Sequence, residues 1–308
     1  MTKTAFLFSG QGAQKLGMAR DLYDQYETVK ATFDEASQAL GYDLRALIDN
    51  DEEKLNETKY TQPAILTTSV AILRLLSENG IKPDLVAGLS LGEYSALVAS
   101  GIIDFQEAVK LVAKRGQYMT EAAPTGSGKM VAVMNTDPAL IEEICQKAAE
   151  FKGGIVSPAN YNTPAQIVIG GEVEAVDYAV ELLKEAGVRK LIELKVSGPF
   201  HTAILKSASE KLALELDKID FRPFELPLIS NTSAKVMENN EVKALLTRQV
   251  MEPVRFYESV ETMQELGAAR FIEVGPGKVL SGFIKKIDKN AEIANVEDLA
   301  SFEALINQ

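Results

Sequence analysis

A serine in a glycine-flanked turn is the residue of this sequence best suited to nucleophilic chemistry. Ser90 lies in Gly88-Leu-Ser-Leu-Gly92, between a short apolar run and an apolar helical run. In such a strand–turn–helix, known as a nucleophile elbow, the serine hydroxyl projects from the sharp turn. The helix that follows points its N–H groups and its positive end at a developing oxyanion. We therefore predict that Ser90 is a nucleophile; an ordinary glycine-rich turn is the alternative.

The chain contains one histidine, His201, in Ser197-Gly-Pro-Phe-His201. Because histidine is the side chain that most often acts as a general base near neutral pH, any serine chemistry here has one natural base. His201 stands at the predicted start of a helix, where the positive end of the helix dipole keeps an imidazole neutral and able to accept a proton. We predict that His201 is this base; a capping or surface histidine is the alternative.

An arginine interrupts an apolar helical stripe. Ala108, Val112, Arg115 and Met119 follow one another at helical spacing on one face. Either the guanidinium of Arg115 extends along the helix to reach water, or it is held in place to bind a carboxylate or a phosphate, for which its planar fork is suited.

Two nucleotide-binding patterns fail on inspection. Gly10-Gln-Gly-Ala-Gln-Lys15 follows a predicted strand, but Lys15 occupies the third glycine position of a dinucleotide fingerprint. Gly128-Lys129 is followed by Met130, where a phosphate-binding loop requires Ser or Thr. One histidine and one cysteine are too few for a typical zinc site. We therefore expect neither a cofactor nor a metal.

The composition is that of an ordinary globular protein, with 46% hydrophobic and 25% charged residues among 308. A formal net charge of −12 argues against nucleic acid as the main partner. The longest apolar-leaning stretch, Ala64 to Leu76, is interrupted by polar side chains, so we expect no membrane contact. The single cysteine, Cys145, cannot form an internal disulfide and favours a reducing compartment, so we expect a cytoplasmic location.

The first part of the chain predicts alternating strands and helices. A strand over Lys3–Phe8 is followed by a helix over Met18–Leu40, a helix over Ile65–Leu76 and a buried strand over Asp84–Ala87, and a further helix begins at Ser90. This alternation is typical of a parallel sheet with helices on its faces, in an α/β fold.

The middle of the chain predicts the ferredoxin-like order βαββαβ. In sequence, the six elements are the strand Lys129–Met134, the helix Pro138–Phe151, the strands Gly154–Ala159 and Gln166–Ile169, the helix Val173–Ala186 and the strand Lys190–Val196. We interpret residues 125–196 as a small subdomain inserted into a large one made of residues 1–124 and 197–308. The large subdomain resumes with a helix over Ala203–Ile219 and a strand over Leu226–Ser230.

Together, these motifs resemble the malonyl-CoA:acyl carrier protein transacylases of bacterial fatty-acid synthesis, essentially from end to end. The motifs that carry the resemblance are Gly10-Gln-Gly-Ala-Gln14, Gln62-Pro-Ala64, Gly88-Leu-Ser-Leu-Gly-Glu-Tyr-Ser-Ala-Leu97, Arg115, Ala159-Asn-Tyr-Asn162 with Gln166, Gly198-Pro-Phe-His201, Gln249 with Pro253-Val254, and Glu273-Val-Gly-Pro-Gly277. The resemblance implies a hydrolase-like α/β parallel-sheet core with an inserted ferredoxin-like subdomain, as the element order also indicates.

The resemblance also implies a ping-pong transfer through a malonyl-serine intermediate. His201 would deprotonate Ser90, which attacks the malonyl thioester, and the thiol of holo acyl carrier protein would then take the malonyl group. The backbone N–H groups of Gln11 and Leu91 would form the oxyanion hole, and Arg115 would pair with the free malonyl carboxylate.

Further site residues come from the same resemblance. In this family the catalytic histidine is oriented by a backbone carbonyl, here near Gln249, instead of by an acidic residue. Phe200 resembles a residue that excludes substrates with an α-methyl branch. The remaining residues implied to bind substrate are Gln62, Met119 and Asn160. Members of the family often have histidine directly before the nucleophile, where this chain has Leu89.

Two other functions are possible for the same residues. A serine esterase or thioesterase would use the Ser90–His201 pair, with water resolving the acyl-enzyme; a domain that only binds carrier protein or CoA would leave this pair unexplained. The resemblance implies malonyl-CoA and holo acyl carrier protein as partners, and we expect a monomer. Because carrier protein is acidic, it would need a local basic surface. The candidates are Arg189, Lys190 and Lys195, and Lys285, Lys286 and Lys289.

Overall fold

Two β-sheets organise the part of the chain that the computed structural model describes, residues 2–307. The strands are β1 (Lys3–Phe8), β2 (Leu85–Gly88), β3 (Lys129–Met134), β4 (Val156–Thr163), β5 (Gln166–Gly171), β6 (Leu191–Glu193), β7 (Val254–Arg255), β8 (Ala268–Val274) and β9 (Glu292–Val296). The helices are α1 (Arg20–Gln25), α2 (Glu27–Leu40), α3 (Leu44–Asn50), α4 (Glu52–Leu55), α5 (Thr58–Glu78), α6 (Gly92–Ala99), α7 (Phe105–Ala122), α8 (Pro138–Lys152), α9 (Val173–Glu185), α10 (Lys206–Leu216), α11 (Val242–Gln249), α12 (Phe256–Glu265), α13 (Val279–Ile287) and α14 (Leu299–Ile306).

The first sheet is parallel and buried on both faces. Its strand order is β2-β1-β8-β9, and every neighbouring pair is parallel. Along β1, Phe6 and Phe8 belong to one hydrophobic core while Ala5 and Leu7 belong to another. Alternate residues of a strand point to opposite faces, so apolar residues throughout β1 indicate that both faces are covered. The end of β2 therefore lies inside the protein. The turn that contains Ser90, the predicted nucleophile, begins there.

The second sheet has the order β6-β3-β5-β4-β7. Its first four strands pair antiparallel, in the spatial order of a ferredoxin-like βαββαβ unit, and α8 and α9 pack against them through a separate apolar core. The fifth strand, β7, comes from much later in the sequence and pairs with β4 in parallel. The predicted fold class is confirmed, while the division of the chain at residues 125 and 196 stays a prediction.

Several elements differ from their predicted bounds. The helix expected over Met18–Leu40 is two helices, because Tyr26 between them has an extended backbone (φ −119°, ψ 122°). The strand expected over Leu226–Ser230 forms only isolated bridges, since Pro227 has no N–H to donate to a ladder. The helix expected from Ala203 begins as a three-residue 3₁₀ turn before α10.

Two features are absent from residues 2–307. No helix there has the length and apolar character needed to cross a membrane. No group of three or more His, Cys, Asp or Glu side chains there could hold a metal ion.

Candidate active site

Ser90 occupies a tight turn between β2 and α6. Its backbone is left-handed, with φ 55°, a conformation that non-glycine residues rarely adopt. A Cβ added at Gly88 would lie 2.0 Å from the carbonyl carbon of Gly92, and one added at Gly92 would lie 2.0 Å from the carbonyl oxygen of Phe8. Both glycines of the motif are therefore required by close backbone approach, and the turn projects the serine hydroxyl as an elbow does.

Asn231 holds this turn in place from a distant part of the sequence. Its Oδ1 accepts a hydrogen bond from the backbone N–H of Ser90 (2.7 Å), and its Nδ2 donates to the carbonyl oxygen of Gly88 (2.6 Å). The backbone N–H of Asn231 donates to Oε1 of Glu93 (3.0 Å), in the first turn of α6. The side chain thus satisfies polar backbone groups that the left-handed turn leaves without partners in the sheet.

Ser90 and His201 are in hydrogen-bond contact. Oγ of Ser90 lies 2.7 Å from Nε2 of His201, and Nδ1 of His201 lies 2.8 Å from the backbone carbonyl oxygen of Gln249. A carbonyl oxygen can only accept, so Nδ1 carries the proton and Nε2 is free to accept one from the serine. The geometry is that of a nucleophile, a base and an orienting group.

The imidazole is buried and held neutral. His201 is 4% exposed, and burial, followed by the positive charge of Arg115, lowers its pKa to about 4. Its backbone is left-handed (φ 60°) and only a 3₁₀ turn follows. We expected the dipole of an α-helix beginning at His201 to keep the imidazole neutral. That cause was wrong, although the neutral imidazole itself was predicted.

Arg115 lies inside the protein, 1% exposed, so the alternative in which its guanidinium reaches water was wrong. Its Nη1 donates to Oε1 of Gln62 (2.9 Å), and its Nη2 donates to Oε1 of Gln249 (3.0 Å) and to Oγ of Ser90 (3.2 Å). Burial lowers the pKa of Arg115, but a guanidinium stays protonated. No carboxylate of residues 2–307 forms an ion pair with it. A buried cation without a direct ion pair therefore lies beside the hydroxyl of Ser90, and the nearest carboxyl group acting on it, that of Glu93, is separated from it by Gln249.

Gln249 connects these groups. Its Nε2 donates to the carbonyl oxygen of Ser90 (2.8 Å) and to Oε2 of Glu93 (2.7 Å), while its Oε1 receives Arg115. Glu93 is fully buried, and this burial raises its pKa to about 7 against the opposing effect of its hydrogen-bond donors.

A cavity of about 190 Å³ opens above Ser90 and His201. Its wall combines strand residues of the second sheet with residues of the surrounding loops and of α7: Gln11, Leu89, Ser90, Met119, Met130, Asn160, Asn162, Val168, Leu194, Val196, Phe200 and His201. Four other predicted site residues, Gln11, Met119, Asn160 and Phe200, are thus brought close to Ser90 and His201. Gln62 lies behind the wall, where its Nε2 contacts Sδ of Met119 (3.3 Å) and Oε1 of Gln11 (3.4 Å).

Two backbone N–H groups near Ser90 donate no hydrogen bond within the described part of the chain. Within residues 2–307, neither the N–H of Gln11 nor that of Leu91 donates a hydrogen bond, whereas the N–H of Ser90 is used by Asn231. These groups, on the loop after β1 and at the start of α6, are the two that the sequence resemblance implied for an oxyanion hole. Their role stays a prediction.

Comparison with known proteins agrees with this geometry. The chain matches the model of the acyl transferase domain over residues 5–302. It belongs to the acyl transferase domain family. Among relatives of this acyl transferase is the malonyl CoA-acyl carrier protein transacylase of Bacillus subtilis (strain 168), which is 46% identical over 99% of this chain and 97% of the relative.

Solved structures of similar acyl transferases share the fold closely. The crystal structure of MCAT from Streptococcus pneumoniae has a TM-score of 0.97 and 68% identity, over 99% of each chain. A malonyl-transacylase solved in complex with its acyl carrier protein, of a type II PKS, has a TM-score of 0.95 and 44% identity, also over 99% of each chain.

Sequence reasoning missed two polar residues of the acyl transferase site. Asn231 directly follows the predicted strand Leu226–Ser230, and a polar residue at the carboxyl end of a strand in an α/β sheet was a usable signal. Glu93 follows the elbow in an apolar stretch, and a carboxylate there was an anomaly comparable to Arg115. Leu89, where histidine was noted as common, lines the cavity and packs against the core around β1 and α13.

Proposed function

We propose that this acyl transferase moves a malonyl group from malonyl-CoA to the phosphopantetheine thiol of holo acyl carrier protein, supplying the elongation unit for fatty-acid synthesis. The observation that carries the proposal is Arg115, a buried cation that no carboxylate of residues 2–307 contacts directly, whose Nη2 lies 3.2 Å from Oγ of Ser90. A malonyl group attached to Ser90 ends in a free carboxylate, which an arginine fork binds well. The names of the B. subtilis relative and the carrier-protein complex support the same activity.

In the first half-reaction, Nε2 of His201 takes the hydroxyl proton as Oγ of Ser90 attacks the thioester carbonyl. The N–H groups of Gln11 and Leu91 donate to the developing oxyanion. Collapse of the tetrahedral intermediate breaks the carbon–sulfur bond, and the CoA sulfur leaves with the proton from His201. The product is a malonyl ester of Ser90.

In the second half-reaction, the carrier-protein thiol gives its proton to His201 and attacks the ester carbonyl. The carbon–oxygen bond breaks, Oγ of Ser90 recovers the proton, and malonyl-carrier protein leaves. Through both halves Arg115 holds the malonyl carboxylate. Acylation of Oγ ends the hydrogen bond that Nη2 of Arg115 makes to the free hydroxyl, which releases that N–H for the substrate.

The acyl pocket itself limits the substrate. Phe200 and Met119 line the cavity beside the base, and we propose that the ring of Phe200 crowds an α-methyl branch, so that malonyl is preferred over methylmalonyl. Asn160 lines the same cavity. Gln62 and Gln249 act on the substrate indirectly, by orienting Arg115, since Oε1 of each accepts a hydrogen bond from its guanidinium.

The surface for the carrier protein follows from charge. The carrier is acidic and this chain has a net charge of −12, so docking requires a local basic patch. Two exposed groups are available: Arg189, Lys190 and Lys195 near β6, and Lys285, Lys286 and Lys289 on and after α13. The division into two subdomains, a monomeric state and a cytoplasmic location remain parts of this proposal.

The test is a transfer assay with malonyl-CoA and two forms of carrier protein. The holo form carries the thiol, and the apo form is the matched control without it. We expect malonyl-carrier protein from the holo form alone, seen as a mass increase. Release of free malonate and CoA at the same rate with either form, and no malonyl-carrier protein, would instead indicate a serine hydrolase.

A further inference from the structure

The mechanism leaves one buried carboxyl group beside Ser90 unused. Glu93 is fully buried one residue after Gly92 of the elbow, and its two oxygens meet two different donors. Oε1 accepts from the backbone N–H of Asn231 (3.0 Å), and Oε2 accepts from Nε2 of Gln249 (2.7 Å). Burying a carboxylate is costly unless its oxygens are satisfied, so this placement calls for an explanation.

Both neighbours of the Gln249 amide nitrogen are acceptors. Nε2 lies between a carboxylate oxygen of Glu93 and the carbonyl oxygen of Ser90. Oε1 faces Arg115, which has only donors. An amide turned by 180° would place its oxygen against two acceptors and its nitrogen against the guanidinium, so one orientation alone satisfies all of its neighbours.

We propose that Glu93 is a positioning residue, which fixes the orientation of the Gln249 amide and through it the place of Arg115. The same residue, Gln249, supplies the backbone carbonyl that holds Nδ1 of His201. Glu93 is therefore linked through Gln249 to both Arg115 and His201, and it does not line the cavity above Ser90. This inference rests on the proposed malonyl transfer.

The substitution Glu93→Gln distinguishes two ways in which Glu93 could act: by orienting the Gln249 amide, or by its negative charge on Arg115. Glutamine keeps the shape but has one oxygen for two donors, so it either loses the bond to Asn231 or favours the turned amide at Gln249. A misplaced Arg115 then weakens recognition of malonyl. If Glu93 acted by its charge alone, its removal would leave Arg115 with less opposing negative charge and would raise the preference for a carboxylate.

The readout is the ratio of malonyl to acetyl loading onto Ser90. Each is measured as the second-order rate constant of loading from the CoA thioester under single-turnover conditions. Acetyl has no carboxylate and does not need Arg115. Since hydrogen bonds to charged groups are worth roughly tenfold or more, we expect Glu93→Gln to lower the ratio at least about 10-fold. An unchanged ratio, or a raised one, would overturn the proposal.

The matched control is Glu273→Gln. Glu273 is also buried, and its two oxygens accept from the backbone N–H groups of Leu280 (3.1 Å) and Ser281 (2.7 Å), outside the network around Arg115. We expect this variant to lose stability and keep the wild-type ratio. If Glu93→Gln does not fold, Glu93→Asp decides by the same ratio, because the shorter carboxylate cannot reach both donors. Failure of the wild type to load malonyl would contradict the proposed function, separately from this inference.

Discussion

Nδ1 of His201 lies 2.8 Å from the backbone carbonyl oxygen of Gln249, the position at which a serine hydrolase usually has a carboxylate. A carbonyl fixes the tautomer but supplies no full negative charge to stabilise an imidazolium. Burial and the charge of Arg115 also oppose protonation of His201. Any base removes a proton more readily from a thiol than from water, because a thiol is much more acidic, and a base without a carboxylate partner gives little added help in activating water. The arrangement therefore favours transfer to a thiol over hydrolysis.

The rate at which Ser90 is loaded should fall only at low pH, where the base His201 becomes protonated. The pKa of His201 is lowered from 6.5 to about 4, so the ring stays neutral as the pH falls through 6.5 and becomes protonated only near 4. We expect single-turnover acetyl loading, which does not need Arg115 and so does not follow the titration of Glu93 behind it, to be level from pH 8 down to about 5 and to fall below that. Loading measured by rapid quench and intact mass, with circular dichroism as a folding control, checks this. A midpoint near 6.5 would mean that the imidazole is not shielded as described.

Arg115→Ala should separate malonyl from acetyl. A charge-assisted hydrogen bond is worth about 1.5–3 kcal/mol, so malonyl loading should fall about 10- to 150-fold relative to acetyl loading. A suitable control is Arg45→Ala, which removes another buried arginine, paired with Asp49 and outside the hydrogen-bond network of Arg115. That variant should lose stability at an unchanged ratio. Equal loss of both substrates in Arg115→Ala would remove the carboxylate role.

Asn231→Asp should destabilise the fold by loosening the elbow. An aspartate cannot donate to the carbonyl oxygen of Gly88, which Nδ2 of Asn231 now contacts at 2.6 Å. A buried acceptor left unsatisfied costs about 1–3 kcal/mol in the free energy of unfolding. The control is Asn50→Asp, an exposed residue whose side chain bonds within its own helix, where we expect a change within about 0.5 kcal/mol. Urea unfolding of both variants gives the comparison, and equal effects would count against the role of Asn231.

Two glycine substitutions should act in opposite directions. At Gly92 a Cβ would lie 2.0 Å from the carbonyl oxygen of Phe8, so Gly92→Ala must displace α6 or β1. At Gly282, within α13, a Cβ would meet nothing within 4 Å, and alanine there should stabilise by about 0.5–1 kcal/mol. Thermal unfolding should show Gly92→Ala well below wild type and Gly282→Ala slightly above it. A wild-type unfolding midpoint for Gly92→Ala would contradict the packing at the elbow.

The pair Ser90 and His201 could be predicted from the sequence because the signals were local or unique. Glycines stand on both sides of Ser90 because the neighbouring backbone leaves no room there for a side chain. The base could be assigned because the chain has a single histidine. Arg115 was visible as a charge in an apolar stripe, but its partners were not. The parallel sheet and the βαββαβ unit followed from the alternation of elements, whereas the order of strands in the first sheet and the pairing of β7 with β4 did not.

The remainder depends on contacts between distant positions. Asn231 bonds to Ser90 across 141 positions of sequence, and Gln249 reaches Glu93 across 156. No spacing rule connects such residues, since only the packed sheets bring them together. The break at Tyr26 was also hidden, because neither glycine nor proline marks it; the extended backbone accompanies packing of its ring against Phe302.

The central claim is that a malonyl group resides on Ser90 until a thiol removes it. The most direct test is the intact mass of the protein after mixing with malonyl-CoA alone, with Ser90→Ala and acetyl-CoA as controls. The account predicts a malonyl adduct that persists, is absent in Ser90→Ala, and disappears when holo carrier protein is added. Release of CoA without a lasting adduct would mean that water resolves the intermediate, and the protein would then be a hydrolase.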